Sequence, residues 1–253
     1  MKREERMRLA TYISERTIDK HGSDIIISGV YGSTAQGVDT PWSDLEMLFV
    51  VRSGSTVEGA QFLYRGMVVA LTVIEQDELE DLLITPDFGW EYWMGVLSTT
   101  MVLYGDAGHL RALLHTGQSV PATEFRGVLE ASVSWIVHEP FERIKSCAIR
   151  RNSYDIGNAV VEVLTDMRGV LCLLNQRWTT HSPNTYQGFV GTFDFEKLPE
   201  GYREIVPLLL SLHKDIDRTV LLATTLVANF WELLVSEGIE LPTDYQTLED
   251  LPL

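Results

Sequence analysis

Hydrophobic and polar positions fall into two regimes along the chain. In the first 120 or so residues the apolar runs are short, β-branched and bounded by turn residues: Ile25–Val30, Met47–Val51 and Met67–Ile74. These predict three strands. The third, MVVALTVI, is continuously apolar and reads as buried on both faces. Ahead of them, Leu9, Tyr12 and Ile13 recur at helical spacing within Glu4–Lys20, with Gly22 as a stop, which predicts an N-terminal helix. Arg52–Gly66 carries Gly54, Gly59 and Gly66 among polar residues and predicts a loop or wide hairpin. Glu75–Leu83 predicts a short helix whose early carboxylates suit the positive end of its dipole. Trp90–Tyr104 and Gly108–His115 read as helical or mixed. The stretch Gly117–Pro121 breaks the pattern and sets the expected boundary. Beyond it, Glu124–Arg151, Asp155–Gln176, Tyr202–His213 and Asp215–Ser236 are long amphipathic segments. The expected architecture is therefore an α/β (α+β) domain with a mixed sheet over residues 1–120. An all-α, up-and-down helical bundle follows over 121–253. Pro242–Leu253 reads as an acidic, extended tail.

Composition narrows the partners. The chain of 253 residues is 45% apolar and 22% charged, ordinary globular material. A formal charge of −16 repels phosphate backbones and attracts polycations, so nucleic acid is not the expected ligand. Cys147 and Cys172 show no framework spacing, the pattern of reduced thiols in a cytoplasm. The charged, periodic N-terminus reads as a helix rather than a signal peptide. No apolar run reads as approaching the roughly 18 residues that span a bilayer, so no membrane association is expected.

The chemistry concentrates between the first two strands. Strand one ends in Tyr31-Gly32-Ser33, ten residues (34–43) follow, and Asp44-Leu45-Glu46 opens strand two. Side chains alternate across a strand, so Asp44 and Glu46 share a face about 6.5–7 Å apart while Leu45 enters the core. Carboxylates that close repel, and a hard divalent cation relieves the repulsion. Gly32 lets backbone N–H groups approach an anion, and Ser33 adds a hydroxyl donor. A phosphate cradle facing a Mg²⁺ site describes nucleotide chemistry.

Gly-Ser, this spacer and Asp-apolar-Glu-apolar resemble the signature of the DNA polymerase beta superfamily of nucleotidyltransferases. More narrowly, the chain resembles the aminoglycoside 4'-O-nucleotidyltransferase (kanamycin nucleotidyltransferase) family. The matching pieces are REERM at Arg3–Met7, GVYGS at Gly29–Ser33, PWSDLEM at Pro41–Met47, IVHEPFE at Ile136–Glu142, LPEGY at Leu198–Tyr202 and NFW at Asn229–Trp231. Spread in order over nearly the whole chain, they read as a full-length resemblance. It implies a nucleotidyltransferase domain followed by the helical bundle, transfer of AMP from Mg·ATP to the 4'-hydroxyl of a kanamycin-type aminoglycoside, and antibiotic resistance. It also implies a cytoplasmic homodimer whose active sites include residues of both subunits.

By resemblance Asp44 and Glu46 are the metal ligands, Gly32 and Ser33 the phosphate cradle and Glu142 the general base. On a helix, His138, Glu142, Lys145 and Ser146 share one face, so Lys145 can reach a phosphate, although the family's phosphate lysine aligns better with Ser146. Pro140 either kinks that helix or sits near the start of a new one. Glu58, Asp87, Glu91 and Glu139 are candidate carboxylates for the amines of the drug. Trp90, Tyr92 and Trp93 form an aromatic cluster expected to fill a domain interface. Two departures stand out. The third carboxylate of many relatives is replaced at about Leu71, and the arginine of the loop after Gly-Ser is Gln36. The alternatives are a nucleotidyltransferase-fold protein acting on another small-molecule or protein hydroxyl, and a non-catalytic nucleotide-binding module.

Overall fold

The computed structural model describes residues 1–183, 185–211 and 214–241, with the side chains of 133 and 134 not described; the expected tail from Pro242 onward lies outside them. The chain separates into two compact units, one of Met1–Pro121 together with Trp178–His181, the other of Ala122–Arg177 and the chain from Ser182. A single boundary at 120/121 leaves Trp178–His181 with the helical part, whereas these four residues pack with the first unit.

The first unit is built on a five-stranded mixed sheet in the order β3-β4-β2-β1-β5. Its strands are β1 (Ile25–Tyr31), β2 (Leu45–Val51), β3 (Ala60–Tyr64), β4 (Met67–Glu75) and β5 (Met101–Tyr104). The β2–β4 pair is parallel and the others are antiparallel. One face carries Leu45, Met47, Phe49 and Val51 of β2 with Met67 and Val69 of β4, packed against Ala10 of helix α1 (Arg3–His21). By alternation Glu46, Leu48 and Val50 face the other way.

The three predicted strands are present, and the structure refines the rest. Helix α1 buries Arg6, Ala10 and Ser14 most deeply, every fourth residue, while Tyr12 is 60% exposed. Small or hydrogen-bonded side chains let the helix lie close to the sheet, and the Ser14 and Ser28 hydroxyls meet at 2.5 Å. The polar stretch Arg52–Gly66 contains β3, an edge strand with no buried residue, which returns through Arg65 (φ 49) and Gly66 (φ 79) into β4. Two successive positive φ values are the mark of a type I′ hairpin turn. Flanked by β2 on one side and by this exposed edge strand on the other, β4 is half-buried along its middle rather than buried on both faces as its composition predicts.

The remaining helices of this unit are α2 (Gly32–Gln36), α3 (Gln76–Ile84), α4 (Trp90–Thr99) and α5 (Ala107–Gln118). Helix α5 runs through the predicted breaker Gly117, where a Cβ would lie 2.4 Å from the Met94 sulfur. That glycine is a close-packing position, not a turn.

In the second unit the long segments form α6 (Ala122–Ile149), α7 (Ser153–Asn175), α9 (Tyr202–Ser211) and α10 (Ile216–Ser236), with the short α8 (Tyr186–Val190) between them. Helix α6 continues through Pro140. One helix among the described residues, α10, is long and apolar enough to cross a membrane, contrary to the sequence expectation. Its buried positions Thr219, Ala223, Leu226, Val227, Phe230 and Leu234 form a stripe that packs on α6, α7 and α9, as a bundle helix does.

This unit also holds a carboxylate with a raised pKa. Asp166 on α7 is pushed up to about 6, first by burial and then by the charge of Glu162, with Arg143 opposing. A folded pKa above the unfolded one favours folding fully below about 3.9, and the benefit is lost as pH rises through 6. At neutral pH the ionised Asp166 therefore opposes folding. Since the group is half-exposed, solvent screening reduces the effect to about 1 kcal/mol. Asp166→Asn is expected to raise urea-denaturation stability by about that amount at pH 8 and by nothing near pH 4. An equal gain at both pH values would assign the effect to packing instead.

Candidate active site

Strand β1 delivers Tyr31 opposite Glu46 of β2, and the chain then turns sharply at Gly32. Gly32 has φ +68, and a Cβ there would stand 2.0 Å from Glu46 Oε2. Backbone conformation and space both demand glycine. The Gly32–Ser33 turn and the Glu46 carboxylate are thus in direct apposition, as the spacing of the motif predicts.

The ten-residue connection that carries the chain to Asp44 is held from α1. Arg3 Nε donates to the Thr34 carbonyl at 3.0 Å and Nη2 to that of Ala35 at 3.4 Å. Arg6, with a fully buried side chain, donates to Asp39 Oδ2 at 2.6 Å and to the carbonyls of Thr40 and Ser43 at 2.7 and 2.8 Å. Gly37 closes α2 with φ 75, its N–H reaching back to that turn. Asp44 immediately precedes β2. Sequence reasoning missed Arg6 as a site-building residue; its signal is a basic residue on the sheet-facing stripe of an amphipathic helix.

Burial, then the neighbouring charge of Asp44, pushes Glu46 up to about 7. Two half-buried acidic groups brought together are a donor set that fits a hard divalent cation. Among the described residues no cluster of three or more His, Cys, Asp or Glu side chains suits a metal, so these two carboxylates are a pair. Leu71, which stands where the resemblance implies a third carboxylate, packs against the α1-side core and does not face the Glu46 side of the sheet. The parallel register pairs Glu46 with Ala70 and Leu48 with Thr72, which places Ala70 and Thr72 on the Glu46 face. Thr72 Oγ1 lies 2.9 Å from the Tyr31 hydroxyl. Burial holds the Tyr31 phenol well above the usual tyrosine range, so it remains a neutral hydroxyl.

Gln36 is committed elsewhere, since its Nε2 donates to the Thr180 carbonyl at 3.1 Å. Trp90 is buried within the first unit, edge-on to Trp178 at 6.0 Å, and Tyr92 stands edge-on to Trp93 at 5.3 Å.

The proposed substrate carboxylates each have a distinct local setting. Glu58 lines a cavity of about 670 Å³ with Ile13, Phe49, Leu71 and Val73, on the α1 side of the sheet and away from Glu46. Asp87 accepts the Gly89 N–H at 2.7 Å ahead of α4, a local turn role. Glu91 is buried in the first turn of α4, and so is no open ligand for a drug amine. Glu139 pairs with Arg143 on the exposed face of α6. Glu142 and Lys145 share that helix as predicted, 2.6 Å apart, with His138 at 3.9 Å on the other side. The Lys145 ammonium holds the Glu142 carboxyl below the usual range, and also lies 4.3 Å from the Phe141 ring centre.

No protein-family model matches the chain. It is 31% identical over 142 residues to an aminoglycoside nucleotidyltransferase (4') of Bacillus sp, a match covering 56% of this chain and 55% of that protein. The protein of the same description from Staphylococcus aureus matches with the same identity and coverage. The matched region spans about half the length of these curated relatives, so the sequence resemblance expected over the full length extends over part of it. In fold, the likeness is wider. The crystal structure of a nucleotidyltransferase-like protein from Exiguobacterium sibiricum 255-15 superposes with a TM-score of 0.51 at 17% identity, covering 92% of this chain and 77% of that one. The chain thus has the fold of a nucleotidyltransferase-like protein and, over just over half its length, is similar in sequence to proteins described as aminoglycoside nucleotidyltransferase (4').

Proposed function

We propose that this protein is an adenylyltransferase that moves AMP from ATP to the 4'-hydroxyl of a kanamycin-type aminoglycoside, inactivating the drug. The observation that carries the reading is the apposition of Gly32–Ser33 with the Asp44–Glu46 pair. It supplies an anion-binding turn and an acidic cation site in one place. The named relatives supply the acceptor class. The negative net charge of −16 suits a polycationic acceptor.

Asp44 and Glu46 hold Mg²⁺, which when bound neutralises the triphosphate and eases departure of pyrophosphate. The Gly32–Ser33 backbone and the Ser33 hydroxyl bind and orient the phosphates. The acceptor oxygen forms a bond to the α-phosphorus as the bridging α–β P–O bond breaks, and pyrophosphate leaves with that electron pair. Glu142 takes the acceptor's proton, and Lys145, now paired with it, exchanges that partner for a phosphate. The reading places a homodimer in the cytoplasm, where Mg·ATP is available.

The test is pyrophosphate release from Mg·ATP with kanamycin, with the product's AMP located by NMR. Wild type is expected to turn over only with the drug present, and Glu142→Gln to lose about 10²–10³-fold in kcat with little change in melting temperature. Retained activity in Glu142→Gln would move the base elsewhere. Turnover with another hydroxyl compound or a protein, but with no aminoglycoside, would overturn the acceptor assignment. Nucleotide binding without any transfer would favour a binding module.

A further inference from the structure

Tyr31 ends β1 directly opposite Glu46 of β2. Opposed residues of an antiparallel pair share one face, with their Cβ atoms about 4.5–5.5 Å apart. The phenol and the carboxylate therefore start side by side. The Tyr31 hydroxyl, however, ends 2.9 Å from Thr72 Oγ1 on β4, beyond β2. That reach spans two strand spacings, about 9.5 Å, so the ring crosses β2 on the Glu46 face. In the parallel register Thr72 stands level with Leu48, and Glu46 with Ala70. The ring thus runs diagonally past Glu46 towards Leu48, buried along its course. Tyr92 of α4 lies close to the same phenol.

Any buried tyrosine needs a partner for its hydroxyl, and Thr72 meets that need. What sets this pair apart is its neighbour. Among the described residues the Glu46 carboxylate makes no hydrogen bond and no ion pair. Ala70, level with it on β4, offers only a methyl group. The carboxylate is therefore oriented by what it packs against. One wall is the Gly32 backbone, so close that a Cβ there would stand 2.0 Å from Oε2. A second wall is the Tyr31 ring, itself pinned by Thr72. A carboxylate that shares a cation with Asp44 binds best when already held in one orientation, since a loose ligand loses rotamer freedom on binding. Resting on the nucleotidyl-transfer reading, we propose that Tyr31 and Thr72 are positioning residues of the cation site: the Thr72 hydroxyl pins the Tyr31 ring, and the pinned ring holds Glu46 against the Gly32 turn.

The experiment is calorimetric titration of Mg²⁺ into the full chain, beside the Mg²⁺ dependence of pyrophosphate release with ATP and kanamycin. Tyr31→Phe keeps the ring but frees it from Thr72, and Thr72→Val keeps the size but removes the hydroxyl. Each is expected to weaken Mg²⁺ binding about tenfold, and to raise the Mg²⁺ concentration for half-maximal release by the same factor, with the KM for kanamycin unchanged. Thr72→Ser, which retains the hydroxyl, should stay within about threefold of wild type. Because both residues act through one bond, the double variant should be no worse than either single one. Wild-type Mg²⁺ affinity in Tyr31→Phe and Thr72→Val, with only a lowered melting temperature, would assign the pair a purely structural role and overturn the proposal. Additive losses in the double variant, or no rescue by serine, would overturn it too. If wild type neither binds Mg²⁺ nor releases pyrophosphate, the nucleotidyl-transfer reading fails and this inference with it. Mg²⁺-dependent turnover that is the same in wild type and Tyr31→Phe sinks the inference alone.

Discussion

Glu46→Gln is expected to reduce drug-dependent pyrophosphate release by at least about 10³-fold, and Asp44→Asn by a similar factor. The carboxamide keeps the shape of the side chain but contributes no negative charge, so the pair loses much of its attraction for a hard cation. Stabilisation of the triphosphate by a bound cation is worth several kcal/mol, and each 1.4 kcal/mol is about tenfold in rate. Folding should move in the opposite direction. In the free protein Glu46 is half-buried beside Asp44, which raises its pKa, so removing one charge relieves repulsion. The neutral variant should melt at or above the wild-type temperature without Mg²⁺ and gain less stability than wild type when Mg²⁺ is added. Calorimetric melts with and without Mg²⁺ read this directly. An inactive variant that also unfolds more easily in both conditions would show a structural role for Glu46 and remove it from the cation site.

The parts of this site that were legible in the sequence are those encoded within a few residues of one another. Gly32, Asp44 and Glu46 sit at strand ends, where a period of two and a turn-forming glycine determine geometry locally. What could not be read locally was which face of the sheet each strand offers. Leu71 aligns with a metal-site carboxylate and Glu58 reads as a drug ligand, but strand register puts Leu71 on the α1 side and Glu58 lines the cavity there. Strand β3 was read within a loop or hairpin because an exposed edge strand has no apolar alternation to display. Glu91 reads as a candidate drug ligand in the sequence because its burial depends on packing that the sequence does not display. The folding of Trp178–His181 beside Gln36 depends on a contact across 144 positions, which periodicity does not record. The helical segments were legible in type and approximate extent, since long amphipathic stretches carry their own signal. Even there, α1 buries Arg6 where apolar spacing favours its neighbours.

That arginine carries the second large effect. Arg6→Ala is expected to destabilise the first unit by about 3 kcal/mol in urea denaturation, the cost of leaving the buried Asp39 carboxylate with only the looser Arg3 Nε at 3.8 Å. The Arg6 side chain is fully buried and that of Asp39 is 5% exposed, so neither charge has water to fall back on. The substitution also strips donors from the carbonyls of Thr40 and Ser43, which together with Asp39 define the connection between the phosphate turn and Asp44. Arg6→Lys should fall in between, because one ammonium cannot reproduce the planar fork that serves three acceptors in fixed directions. The double variant Arg6→Met with Asp39→Asn separates the two contributions. Removing both charges at similar volume should recover a large part of the lost stability, since a buried pair replaced by well-packed neutral groups is often near neutral. Activity should not recover with it, because the Thr40 and Ser43 carbonyls remain without their donors and the approach to Asp44 stays loose. If the double variant regains full activity along with stability, Arg6 acts only through the charge of Asp39 and the loop needs no positioning from α1. If Arg6→Ala costs less than about 1 kcal/mol, the connection is held by other contacts, and Arg3 with its bonds to the Thr34 and Ala35 carbonyls becomes the residue to remove next.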